Sequence, residues 1–109
     1  MPKHRDLRID NISKFRYREL HNWCLQYNEW KGSPNYKNRE LLESTLKQAI
    51  KDIYKGNIDI FPHMLEAITR ESTFKYLDLC KRIPTGEYIF NKIRRRFYCL
   101  LDQEKQKHE

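Results

Sequence analysis

Glycine and proline are almost missing from this chain, and their scarcity constrains the fold more than any other feature. Three glycines and four prolines occur in 109 residues. Apart from Pro2, they stand at the edges of stretches whose apolar residues recur at three- and four-residue steps: Gly32 and Pro34, Gly56, Pro62, Pro84 and Gly86. Glycine suits the position after a helix and proline suits a first turn or a connection, so this is the punctuation of a small helical protein.

The periodicity predicts five helices. The first runs from Ser13, its expected N-cap, to Trp30, with Tyr17, Leu20, Cys24 and Tyr27 on one stripe and Trp23 and Trp30 beside them. Lys31 to Asn35 read as a loop. The second helix spans Asn38 to Tyr54, buries Leu42, Leu46, Ala49, Ile50 and Ile53, and pairs Glu43 with Lys47. Gly56 is expected to end it in the left-handed conformation. A short third helix covers Phe61 to Arg70, capped by Asp59, with Met64, Leu65 and Ile68 inward. Ser72 caps a fourth, Thr73 to Lys81, which buries Phe74 and Leu77. The fifth starts at Gly86 or Glu87 and presents Phe90, Ile93, Phe97, Tyr98 and Leu101 to the core. The expected architecture is an all-α single domain of four to five helices. A flexible basic N-terminal arm covers 1–12, the helical domain 13–101 ends in a helix-turn-helix at 73–101, and a charged tail at 102–109 frays.

Charge indicates the kind of partner. The formal net charge is +7 and the pI about 9.4, which favours polyanions, nucleic acid before acidic membranes or proteins. The three cysteines, Cys24, Cys80 and Cys99, are odd in number and lack CxxC spacing, which suits reduced, mostly buried thiols in the cytosol. The sequence shows no signal peptide and no apolar run of the ~20 residues that would cross a bilayer. The expected location is the cytoplasm. His4, His21, His63 and His108 lack metal-ligand spacing, and no Gly-rich phosphate loop, GxSxG or HExxH occurs. No enzyme, metal or cofactor is expected.

The last third carries the one sharp functional pattern. A short amphipathic segment (TFKYLDLCKR) meets a breaker (IPTG) and then a basic amphipathic segment (EYIFNKIRRRFYCLL). Helix, tight turn and basic helix are the signature of a helix-turn-helix DNA reader. With Phe90, Ile93 and Phe97 on one face, Glu87, Tyr88, Ile89 and Lys92 are expected to approach bases, and Arg94, Arg95 and Arg96 to grip phosphates. A solvated basic face is the plain alternative, since cations near a helix C-terminus also suit its dipole. Trp23, Tyr27 and Trp30 share one side of the first helix; they read first as core and otherwise as a protein or homodimer interface.

Two stretches resemble a known family. SKFRYRELHNWCLQYNEWK is similar to the opening of small phage and prophage proteins of Gram-positive bacteria, typically written YRELKYFCLQYPEWK, and IPTGEYIFNKIRRRFYCLLD is similar to their closing motif. These proteins are grouped with the ArpU- and RinA-like phage transcriptional regulators, whose closing motif is like the region-4 helix-turn-helix of sigma-70 factors. The resemblance implies a phage-derived DNA-binding regulator acting in a bacterial host cell on late-gene promoters or on host RNA polymerase. It places Thr85 at a buried turn position, Gly86 at the helix cap, Phe90 and Ile93 in the core, and Glu87, Tyr88, Ile89 and Lys92 at reading positions. Relatives carry Ser or Thr at the cap and Arg after it, where this chain has Gly86 and Glu87. The alternative is a phage factor that binds a host protein, either RNA polymerase or a defence nuclease.

Overall fold

A computed structural model describes residues 12–30, 36–70 and 85–108. The expected arm up to Asn11, the loop Lys31 to Asn35, the expected helix Thr73 to Lys81 with Cys80, and the turn before Thr85 lie outside the described residues. Among those residues the chain is all α-helical, with four α-helices and one 3-10 turn.

Helix α1 spans Lys14–Leu25. Ser13 is extended (φ −68°, ψ 157°) and its hydroxyl accepts from the Arg16 N–H at 3.0 Å, which meets one of the donors that a helix start leaves unpaired. The helix does not reach Trp30 as a regular rod. It ends at Leu25 and tightens into a 3-10 turn, Tyr27–Trp30. Tightening lets Tyr27 and Trp30 both turn inward, 5% and 3% exposed.

Helix α2 spans Tyr36–Ile53 and buries Leu42, Thr45, Leu46 and Ala49, while Ile50 and Ile53 pack at the rim of the core. The expected Glu43–Lys47 pair is replaced. Glu43 takes a hydrogen bond from the Tyr27 hydroxyl (2.5 Å) and one from Arg39 Nε (3.4 Å), while Lys47 lies over the Phe61 ring, 5.3 Å from its centre. Tyr27 and Phe61 from outside α2, with Arg39 one turn earlier on it, outcompete a helical pair worth only a few tenths of a kcal/mol, ~0.2–0.5. Gly56 does not adopt the left-handed conformation. Its small size matters for another reason, since a Cβ there would run into the Tyr54 ring and hydroxyl.

Helix α3 spans Phe61–Thr69, with Pro62 in its first turn. Ile60 occupies the N-cap, and Asp59 acts from one residue before it, accepting from the Phe61 N–H at 3.1 Å. Met64, Ala67 and Ile68 are buried; Leu65 is half-buried.

Helix α4, Glu87–His108, runs through the expected tail. The Gly86 carbonyl accepts the first helical bond, from the Phe90 N–H at 3.1 Å, so Gly86 holds the cap position expected of it. The helix does not fray after Leu101 because that stretch has partners. Asp102 is 7% exposed and accepts from Arg16 Nε at 2.6 Å, and Lys105 Nζ lies 4.2 Å above the centre of the Trp23 ring. The most extensive packing is between α2 and α4, and α1 and α3 close over that pair. The core joins Tyr17, Leu20 and Cys24 of α1 to Leu42 and Leu46 of α2, Met64 and Ile68 of α3, and the apolar side of α4.

Candidate nucleic-acid interface

The basic segment folds as the first half of α4, and packing decides which of its cations meet water. Phe90, Ile93, Phe97, Tyr98 and Leu101 are all fully buried. They anchor one side of the rod and hold the opposite side outward. Tyr88 (71% exposed), Lys92 and Arg95 lie at i, i+4 and i+7 on that outward side. The Lys92 ammonium sits 5.9 Å from the Tyr88 ring centre, a cation beside an exposed aromatic. Glu87 is exposed and Ile89 is half-buried at the start of the helix. Among the described residues no carboxylate lies within ion-pair distance of Lys92 or Arg95.

Arg94 departs from the expected phosphate grip. It is only 5% exposed, and its guanidinium lies 6.0 Å from the centre of the Phe90 ring. Its charge also acts on the buried Tyr98 hydroxyl. The signal is present in the sequence. Arg94 stands four residues after Phe90, four before Tyr98 and seven before Leu101, so it lies inside the apolar stripe. Three adjacent arginines resemble one patch when read along the chain, but successive residues on a helix point in different directions.

Arg96 faces outward, 44% exposed, with its Nε 3.0 Å from Asp52 Oδ2 in the last turn of α2. Gln48 donates to the other oxygen of Asp52 at 2.7 Å. Hydrogen bonds from Arg96 first and Gln48 second, with the nearby Lys55 charge, hold the Asp52 carboxyl below its usual range. This pairing is not legible in the sequence, because it joins residues 44 positions apart.

Of the aromatic trio of the N-terminal segment, Tyr27 and Trp30 belong to the core and Trp23 packs against it. Trp23 and Trp30 ring centres are 4.8 Å apart, and Tyr27 meets Trp30 edge-on at 6.2 Å. Trp23 is half-buried beneath Lys105. The buried Tyr27 and Trp30 do not offer ring faces to a partner, which corrects the interface alternative at those two positions.

His21 Nδ1 lies 3.2 Å from the Tyr98 hydroxyl, and its ring stacks on Tyr17 at 5.9 Å. Burial pushes the Cys24 thiol far above the ordinary range, which makes it a poor nucleophile. Among the described residues no group of three His, Cys, Asp or Glu side chains is placed to hold a metal, and no helix is long and apolar enough to cross a membrane. A cleft of about 420 Å³ between Arg16, Trp23 and Lys105 is a shallow surface groove.

Fold and surface together define a class: an all-α domain whose longest helix is pinned by aromatic rings and presents cations to solvent. Comparison with family models, with curated proteins and with solved structures gave no match.

Proposed function

We propose that this protein is a phage-derived transcriptional regulator that binds DNA through the outward side of α4. The observation that carries the reading is the Tyr88, Lys92 and Arg95 face, held rigidly by Phe90, Ile93 and Phe97, in a chain of net charge +7. A rigid cationic helix face suits the phosphate backbone, which supplies most of the affinity in such complexes and fixes register. Tyr88 adds a flat ring beside the cations, and Glu87 is able to accept from a cytosine amine in the major groove. The resemblance of the closing motif to the ArpU- and RinA-like regulators supplies the regulatory part of the proposal.

The test separates outward cations from the buried one. Replacing Lys92 and Arg95 together by Ala is expected to weaken binding to duplex DNA. The slope of log affinity against log salt should become shallower by about 1.8, or ~0.9 for each phosphate that is no longer neutralised. Arg94→Ala is expected to lower the melting temperature and leave the slope unchanged. An unaltered slope in the double variant refutes the reading. Binding to a bacterial host protein is the second reading, favoured by Phe15, which is 77% exposed on α1. A complex with purified RNA polymerase that survives nuclease and is abolished in Phe15→Ala would support it.

A further inference from the structure

We infer that the DNA-binding surface continues from α4 across Asp52 onto the end of α2, where Lys51 and Lys55 meet the same phosphate backbone a second time. The inference rests on the reading above and adds a second structural element to it. The Arg96–Asp52 pair, at 3.0 Å, brings the last turn of α2 beside the outward side of α4. Both side chains remain partly open to water, 44% and 27% exposed. Lys51 and Lys55 are exposed, and Lys55 folds back so that its ammonium donates to the Lys51 carbonyl at 3.4 Å. That hydrogen bond keeps the Lys55 charge against the end of α2, where the helix dipole favours a cation. Lys55 is also close enough to Asp52 for its charge to favour the ionised carboxylate.

Lys51 on α2, Lys55 two residues past its end, and Lys92, Arg95 and Arg96 on α4 are all exposed, and the Arg96–Asp52 pair joins the two elements. A polyanion is the partner that such a surface complements. Duplex DNA fits better than a small anion because five exposed cations drawn from two elements can each meet a different phosphate. Anchoring from two elements also fixes orientation, which a single helix rolling on the backbone does not. Asp52 has a defined part in this arrangement. In the free protein it holds the Arg96 fork and reduces repulsion with the neighbouring lysines. On DNA a phosphate oxygen takes its place, and the planar guanidinium suits that exchange. Asp52 therefore lowers affinity by the strength of the pair that must be broken.

The experiment measures affinity for one duplex fragment by fluorescence anisotropy between 50 and 200 mM salt (about a Debye length of 14 to 7 Å) for the full chain and three variants. Lys51→Ala with Lys55→Ala is expected to weaken binding at least about tenfold at ~0.1 M salt and to make the slope shallower by about 1.8. Asp52→Asn is expected to tighten binding about two- to fivefold, because an exposed ion pair no longer has to be given up. Lys92→Ala with Arg95→Ala is the reference. If the reference flattens the slope and the Lys51 and Lys55 changes leave it alone, α4 binds without α2 and this inference is wrong. If the wild type shows no salt-dependent binding, the reading beneath it fails as well. Circular dichroism melting shows whether each variant is folded, and the exposed lysines are not needed for packing.

Discussion

Asp102 is nearly buried at the start of the last turns of α4, and Arg16 of α1 donates to it at 2.6 Å. Gln106, one turn on, donates to its other oxygen at 3.0 Å. A carboxylate so placed is stabilised by its donors, and its replacement leaves the Arg16 guanidinium, 20% exposed, with the exposed Glu19 at 3.5 Å as a weaker partner. Asp102→Asn keeps the shape and removes the charge. It is expected to cost about 1–3 kcal/mol of folding stability, measured by urea unfolding. A change within experimental error would show that Arg16 hydrates freely and that the pair is not a structural tie. Arg94 belongs to the same scale. Its guanidinium lies beside the Phe90 ring and its charge acts on Tyr98, so it faces the interior while its neighbours Arg95 and Arg96 face the surface.

Helix α4 has 22 residues, about 33 Å at ~1.5 Å each, and its two halves do different work. The first half pins the cationic face to the core. The second half reaches α1, where Asp102 meets Arg16 and Lys105 covers Trp23. Truncating the chain after Leu101 removes both of these interactions and leaves Trp23 more exposed. The shortened protein is expected to melt several degrees lower, for a loss of about 1–3 kcal/mol. Tryptophan fluorescence should also shift to the red as Trp23 gains water. An unchanged melting temperature would mean that the last turns add length without stability. Helix α2 has a comparable double role: Leu42, Leu46 and Ala49 pack against the rest of the molecule, while Asp52 at its end orients Arg96.

The molecule as a whole has a Cα radius of gyration of 13.5 Å, close to the ~13 Å of a compact domain of this length. One apolar core serves all four described helices, so they stand or fall together. A net charge of +7 on so small a body repels itself, and salt screens that repulsion. Raising salt from about 20 to 200 mM is therefore expected to increase the melting temperature of the free protein. Over the same range DNA binding should weaken, because counterion release favours the complex less. Calorimetry and anisotropy in matched buffers check the pair of signs. A melting temperature that falls with salt would show that local ion pairs such as Arg16–Asp102 outweigh the overall repulsion.

The all-α class, the Ser13 cap, the helix start after Gly86 and the inward set Phe90, Ile93 and Phe97 were legible in the sequence, because each depends on spacing within one turn or two. The burial of Arg94 was legible too, by the same spacing, but was obscured by its place in a run of arginines. The 3-10 turn at Tyr27–Trp30, the diversion of Glu43 from Lys47 to Arg39 and Tyr27, and the continuation of α4 through its charged end were not. The Tyr27–Glu43 bond and the Arg16–Asp102 pair that ties down the end of α4 join residues 16 and 86 positions apart, and periodicity along one helix carries no information about what lies opposite. The same limit applies to the proposed interface. Local pattern determined that α4 would be cationic, whereas only the packing of α2 against α4 decided that Arg96 would meet Asp52 while Lys92 and Arg95 remained open to solvent.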